Sequence, residues 1–288
     1  MSKPDQLHTR IFLDGGDPTE TERVREALGF LDGQTTNPSL VAKHPTFQAC
    51  KERSIGCTNE DLWSAYRDIV TELSPMVPDS VSIEVYADTN TTMAEMVEQG
   101  RELAEWIPNP HVKLPITTAG LGAAEQLVAD DIRVNMTLCF TQAQVAAVYA
   151  ATRGAPPGAV YVSPFVGRLD DRGEDGMSLI QNIMTMLESS DGHVESLVAS
   201  VRSLEHLYAS LALGVPRITA PADILLAWAE DGLPVPDASY QYDAKQLTTV
   251  PYESYDLTAP WDSFDIEHPL TTDGLARFAA DWNAVLST

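Results

Sequence analysis

Lys113 is one of only five lysines among 288 residues, and it stands inside an apolar run, His111-Val112-Lys113-Leu114-Pro115-Ile116. Desolvation on a buried strand disfavours an ammonium, lowers its pKa and frees the amine as a nucleophile. Such an amine is what Schiff-base chemistry on a carbonyl substrate requires. The plain alternative is a lysine at a strand end whose head snorkels into water. Glu84 sits between Ile83 and Val85. A carboxylate buried there needs a partner, and Lys113 is the candidate; a purely structural ion pair satisfies the same pattern. Asp14 follows Ile11-Phe12-Leu13 and is either a carboxylate aimed at a site or the N-cap of the next helix. Asn37 precedes Pro38, which pushes it out of helical geometry and leaves an amide that offers both donor and acceptor, or that merely shapes a turn. Asn135 and Thr137 share another apolar segment, and Arg168 and Arg202 either grip an anion or pair with the chain's many acids.

These residues fall at the ends of β-rich segments. The candidate strands are Arg10–Asp14, Gly33–Thr36, Val81–Tyr86, His111–Leu114, Arg133–Leu138, Ala159–Val162, Ser196–Ser200 and Arg217–Thr219. Between them lie amphipathic stretches: Thr19–Leu31, Asn59–Leu73, Thr92–Ala104, Gly120–Ala129, Thr141–Ala151, Gly176–Glu188 and Ser203–Leu213. Eight alternating strand and helix units predict a parallel sheet closed into a (β/α)8 barrel, with the functional residues at the C-terminal ends of the strands. A doubly wound sheet is the runner-up, but no GxGxxG or GxxxxGK[ST] follows any strand. The expected organisation is one domain over 1–288, with the barrel at about 10–230 and a C-terminal extension at about 231–288. A longer insertion, Leu40–Ser80, separates the second and third strands. The stretch Asp231–Pro269 reads as an irregular arm, and Thr272–Leu286 as an amphipathic helix. That helix carries Leu275, Phe278, Ala279, Trp282 and Val285 on one face, for core packing or a subunit contact.

Composition narrows the function further. Acidic residues outnumber basic ones 42 to 18, for a formal charge of −24. A phosphate backbone would be repelled by that surface, so no nucleic-acid partner is expected. Self-repulsion of this size favours a setting where salt screens it, and a protein adapted to high salt is the expectation. No run of 18 apolar residues implies a membrane span, and the N-terminus lacks the apolar stretch of a secretory signal. Cys50, Cys57 and Cys139 form no CxxC pair and no zinc spacing, and their odd count fits a reducing cytoplasm.

Taken together, the strings Thr35-Thr36-Asn37-Pro38-Ser39, Val112-Lys113-Leu114-Pro115, Asn135-Met136-Thr137-Leu138-Cys139-Phe140 and Ser163-Pro164-Phe165-Val166-Gly167-Arg168 resemble the transaldolase family, as do Ala199-Ser200-Val201-Arg202 and Thr219-Ala220-Pro221. The matches run in the family's order over roughly residues 10–225. The resemblance implies a (β/α)8 barrel with no metal or organic cofactor. It implies transfer of a dihydroxyacetone unit from a ketose phosphate (fructose 6-phosphate or sedoheptulose 7-phosphate) to an aldose phosphate (erythrose 4-phosphate or glyceraldehyde 3-phosphate), in the pentose phosphate pathway. By position, Lys113 matches the Schiff-base lysine, Asp14 the acid/base, Glu84 the third-strand carboxylate and Thr137 the threonine that helps hold a catalytic water. Asn37 and Ser163 match residues that hold substrate hydroxyls, while Arg168, Ser200 and Arg202 match the phosphate grip. A cytoplasmic homo-oligomer, dimer or larger, is the expected state.

Some positions depart from the pattern. Leu114-Pro115-Ile116-Thr117 is closer to the shorter, aldolase-like members, and Gly15-Gly16 is not the usual small-residue pair. Related fructose-6-phosphate aldolases typically carry glutamine where Glu84 stands and tyrosine where Phe165 stands, so these two residues favour transfer over release of free dihydroxyacetone. A relative acting on a modified sugar stays open, because an arginine pair does not by itself distinguish phosphate from sulfonate.

Overall fold

The computed structural model describes residues 2–52, 57–188 and 190–286. Its strands are β1 (Arg10–Asp14), β2 (Gly33–Thr35), β3 (Val81–Glu84), β4 (Pro110–Pro115), β5 (Val134–Cys139), β6 (Val160–Pro164), β7 (Glu174–Asp175), β8 (Val194–Val198), β9 (Arg217–Ala220) and β10 (Thr248–Thr249). Eight of them close a parallel barrel in the order β1-β2-β3-β4-β5-β6-β8-β9, and β9 returns to β1 with Arg217 opposite Arg10. The expected (β/α)8 barrel is therefore the fold. The two extra strands form a small separate ladder in which β10 pairs with β7.

The helices are α1 (Pro18–Leu28), α2 (Pro38–Val41), α3 (Pro45–Glu52), α4 (Asn59–Leu73), α5 (Met93–Ala104), α6 (Thr118–Ala129), α7 (Gln142–Ala151), α8 (Val166–Asp170), α9 (Gly176–Leu187), α10 (Leu204–Ala212), α11 (Ala222–Glu230) and α12 (Pro269–Asn283). Local chemistry sets many of their starts. Asp17 accepts from Thr19 N ahead of α1, and Thr58, Thr92 and Thr141 head capping boxes on α4, α5 and α7. Each such box satisfies backbone N–H groups that the helix itself cannot.

The differences from the sequence expectations have physical reasons. The strand expected over Ser196–Ser200 is Val194–Val198, because Ser200 takes a left-handed φ of 57° that ends the extended run. Helix α11 escaped notice because Ala222-Asp223-Ile224-Leu225-Leu226-Ala227-Trp228 is apolar almost throughout and lacks a polar face. Within the insertion, Pro45, expected from the sequence to mark a break along with Pro75 and Pro78, starts helix α3 instead, as its fixed φ suits a first helical turn. Cys57 is disulfide-bonded, which the reducing setting expected from the cysteine count did not anticipate, whereas Cys139 is buried and free.

The segment after α11 runs as an irregular strap. It is pinned to the barrel helices by Gln142 Nε2 donating to Pro251 O (3.0 Å) and Asn182 Nδ2 donating to Val250 O (2.8 Å). It delivers α12 to the C-terminal rim, where Leu275, Phe278, Ala279, Trp282 and Val285 are all buried. Trp282 packs 4.6 Å from Trp63 on α4, and Thr271 Oγ1 donates to Leu138 O of β5 (2.9 Å). The apolar stripe of this helix is thus core packing within the chain. Each large side chain it buries contributes roughly 1.5–3 kcal/mol. No helix among the described residues is long and apolar enough to cross a membrane.

Candidate active site

Parallel pairing of β3 with β4 places Glu84 opposite Lys113 in register. Their charged groups meet at 2.8 Å, with both side chains only 4% exposed. The lysine therefore does not snorkel. Lys113 Nζ also donates to Thr36 O (3.2 Å). A tyrosine from the insertion braces this corner: Tyr66 OH accepts from Glu84 N (3.0 Å) and lies 2.5 Å from Thr36 Oγ1. Burial pushes the Glu84 carboxyl above its ordinary value, while the Lys113 ammonium pulls the other way.

Asp14 is not a helix cap; Asp17 does that work. It ends β1 and accepts from Thr35 Oγ1 at 2.7 Å, and Thr35 in turn lies 2.6 Å from Thr219 Oγ1 on β9. Burial raises the Asp14 carboxyl, opposed by Lys113, the Thr35 hydrogen bond and Lys43. On β5, Asn135 is the register partner of Lys113, and Thr137 stands two residues on, facing the same side. Asn135 is fully engaged: Nδ2 donates to Ser82 Oγ (3.0 Å) and Oδ1 accepts from Ser163 Oγ (2.7 Å). Thr137 Oγ1, by contrast, is buried with no hydrogen-bond partner among the described residues. A buried hydroxyl left unpaired is costly, and it suits a position where a water or substrate atom binds.

The opposite end of the cavity is cationic. Arg168 stacks its guanidinium over Phe165 (5.1 Å) and Phe278 (5.5 Å). Burial and then the charge of Arg277 lower its pKa. Arg202 lies 2.5 Å from Asp171 Oδ1, an exposed pairing that a dianion would compete with. Gly167 is required between them, because a Cβ there would come within 2.6 Å of Arg202 Nε and of Ser200 O. Its N–H donates to that Ser200 carbonyl (3.0 Å), which ties the ends of β6 and β8 together. Asn37 Oδ1 caps α2 by accepting from Leu40 N (2.9 Å).

The structure gathers Lys113, Asp14, Asn37, Ser163, Phe165, Arg168, Ser200 and Arg202 around one cavity of about 330 Å³, with Glu84 ion-paired to Lys113 at its wall. The same cavity is lined by Lys43 and Arg277, which the sequence did not single out, and by Phe278, which it placed only on the packing face of the C-terminal helix. Lys43 had one available signal, the scarcity of lysine in this chain. For Arg277 there was only its place beside the apolar stripe of α12.

Fold and cavity together define a (β/α)8 barrel whose rim carries a buried lysine–carboxylate pair, a second, half-buried carboxylate and a pair of arginines. A family model described as Transaldolase/Fructose-6-phosphate aldolase matches residues 11–288. The chain is 33% identical over 277 residues to a probable transaldolase of Dehalococcoides mccartyi, covering 96% of this chain and 99% of that one. It is 35% identical over 275 residues to a probable transaldolase 2 of Listeria monocytogenes, covering 96% of each. The chain belongs to the transaldolase/fructose-6-phosphate aldolase family.

Proposed function

We propose that this protein is a transaldolase that works through a Schiff base on Lys113. The observation that carries the reading is the buried Lys113–Glu84 pair at 2.8 Å, at the wall of a cavity lined by Asp14 and the arginines, with an unpaired Thr137 hydroxyl on the neighbouring strand. The free amine of Lys113 attacks the ketone carbon of a ketose phosphate to give a carbinolamine. Glu84, acting through a water held by Thr137, protonates the departing hydroxyl, and water leaves to form the iminium. Asp14 takes the proton from the hydroxyl on carbon 4. The bond between carbons 3 and 4 breaks, its electron pair passes into the iminium, and an enamine forms as the aldose phosphate departs. An incoming aldose phosphate is attacked by the enamine and receives its proton back from Asp14. Hydrolysis then regenerates the lysine.

Asn37 and Ser163 hold the sugar hydroxyls, and Arg168, Ser200 and Arg202 take the terminal phosphate, for which forked guanidinium donors are well shaped. Phe165 brings no hydroxyl to the enamine, which favours transfer over quenching by water. A place in the pentose phosphate pathway and a cytoplasmic setting belong to the same reading and rest on family membership. The test is borohydride trapping with fructose 6-phosphate followed by peptide mass analysis. A dihydroxyacetone-derived adduct on the Lys113 peptide is expected; an adduct on another lysine, or none, overturns the mechanism.

A further inference from the structure

We propose that Arg277 on α12 is a third ligand for the substrate's terminal phosphate, so that the C-terminal helix acts as a charged clamp that selects phosphorylated over unphosphorylated sugars. This rests on the reading of the cavity as a sugar-phosphate site. Three independent contacts place α12 there. Gly274 lets the helix lie directly on Arg168, for a Cβ at that position would come within 2.6 Å of the Arg168 Nη1 atom and of Leu138 Cδ2. One turn further on, Phe278 lines the cavity, with its ring 5.5 Å from the Arg168 guanidinium and 5.9 Å from Lys113 Nζ. Arg277 precedes it and lines the same cavity as Arg168 and Arg202.

The charges point to an anion. Burial is the main cause that lowers the Arg168 pKa, with Arg277 next and Arg202 adding to it, while the pull of Glu84 and Asp171 opposes them. Like charges disfavour one another at such a cluster, and a dianion removes that cost. Convergence of three arginines is all the more telling in a chain with only 18 basic residues against 42 acidic ones. Arg277 is also free to turn. Its side chain is 70% exposed, and the one ion pair it makes among the described residues, with Asp281, is loose at 4.0 Å. Asp281 itself is held by the Ser39 hydroxyl of α2, beside the cavity wall. The helix is thus anchored at its apolar face while its guanidinium remains available to the ligand.

The experiment compares the wild-type chain with Arg277→Gln and with Arg101→Gln, which removes one positive charge from an exposed pair between α5 and the end of α6. Concentrations of fructose 6-phosphate and of fructose that half-saturate borohydride-trapped adduct formation are measured, together with binding of inorganic phosphate by calorimetry. Arg277→Gln is expected to raise the half-saturating concentration of fructose 6-phosphate about tenfold, the size of one charge-assisted contact at a wet site. Fructose is expected to be unaffected, and phosphate binding to weaken by a similar factor. Arg101→Gln leaves all three unchanged, and Arg277→Lys recovers part of the loss. An equal change for both sugars, or no change for either together with unaltered phosphate binding, overturns the clamp. Absence of any adduct in the wild type refutes the Schiff-base reading instead, and the phosphate titration then decides the role of Arg277 alone.

Discussion

Replacing Lys113 with methionine removes one half of a buried ion pair and leaves the other half in place. At 2.8 Å the two charges attract by ~6 kcal/mol at an effective dielectric of about 20. Much of that attraction offsets the desolvation of the two groups, and breaking such a pair costs about 3–5 kcal/mol because one charge is left uncompensated. Glu84 has an escape, since it can take up a proton. Its folded-state carboxyl already lies above the ordinary 4.5, raised by burial and held down by Lys113. Without the ammonium it rises further. A carboxyl raised by folding contributes stability below its unfolded pKa and loses it as pH climbs through the folded one. The deficit of Lys113→Met should therefore be about 3 kcal/mol at pH 8 and shrink to under about 1 kcal/mol near pH 4.5. Urea melts of the wild type, Lys113→Met, Glu84→Gln and the double variant at both pH values measure this. The double variant, with no charge left to bury, should recover most of the loss at pH 8. A deficit that is the same at the two pH values, or that survives in the double variant, refutes the account of the site as a desolvated ion pair. All Lys113→Met proteins should fail to form the borohydride adduct.

Thr137→Val should slow adduct formation about a hundredfold, as expected for a lost proton-transfer path, while stability holds or rises by up to about 1 kcal/mol, because the removed hydroxyl has no partner to lose. Its Tm and single-turnover rate are the checks. Asp14→Asn should abolish cleavage yet raise Tm by about 3 °C at pH 7. Burial raises the Asp14 carboxyl, so its charged form costs stability as pH climbs, and the gain should vanish below pH 4. With fructose 6-phosphate alone little product should accumulate, whereas adding erythrose 4-phosphate should release glyceraldehyde 3-phosphate rapidly; fast release of free dihydroxyacetone without acceptor would identify an aldolase. Given a formal charge of −24, raising KCl to about 1 M should raise Tm by screening self-repulsion, since the Debye length falls to about 3 Å; full stability at low ionic strength would count against a high-salt adaptation.

Much of the rim is written locally in the chain. A parallel strand advertises itself as a short apolar run, and barrel closure brings all the strand ends to one face. Asp14, Asn37, Lys113, Ser163 and Arg202 were legible for that reason, each being a polar residue where an apolar run stops or is interrupted. Even the Glu84–Lys113 partnership follows from two charged residues on adjacent strands, although only the register decides that they stand opposite each other. Strand ends themselves were less legible. Nothing in the letters Ala199-Ser200-Val201 announces the left-handed turn that cuts the strand after Val198.

The long-range parts of the site belong to the tertiary structure alone. Tyr66 looks like any helical core aromatic, and its hydroxyl braces Thr36 and Glu84 only because α4 packs on β2 and β3. Lys43 reaches the cavity through the path of the insertion, and Arg277 and Phe278 through that of the strap. Such irregular backbone has no periodicity to read, and its course is set by scattered contacts such as Gln142 with Pro251 and Gln144 with Thr271. By itself the sequence determined the barrel, the lysine at its centre and most of the polar rim, because periodicity and strand order act between near neighbours. Which helix closes over that rim, and that it brings a third arginine to the cationic end of the cavity, was decided by packing between residues far apart in the chain.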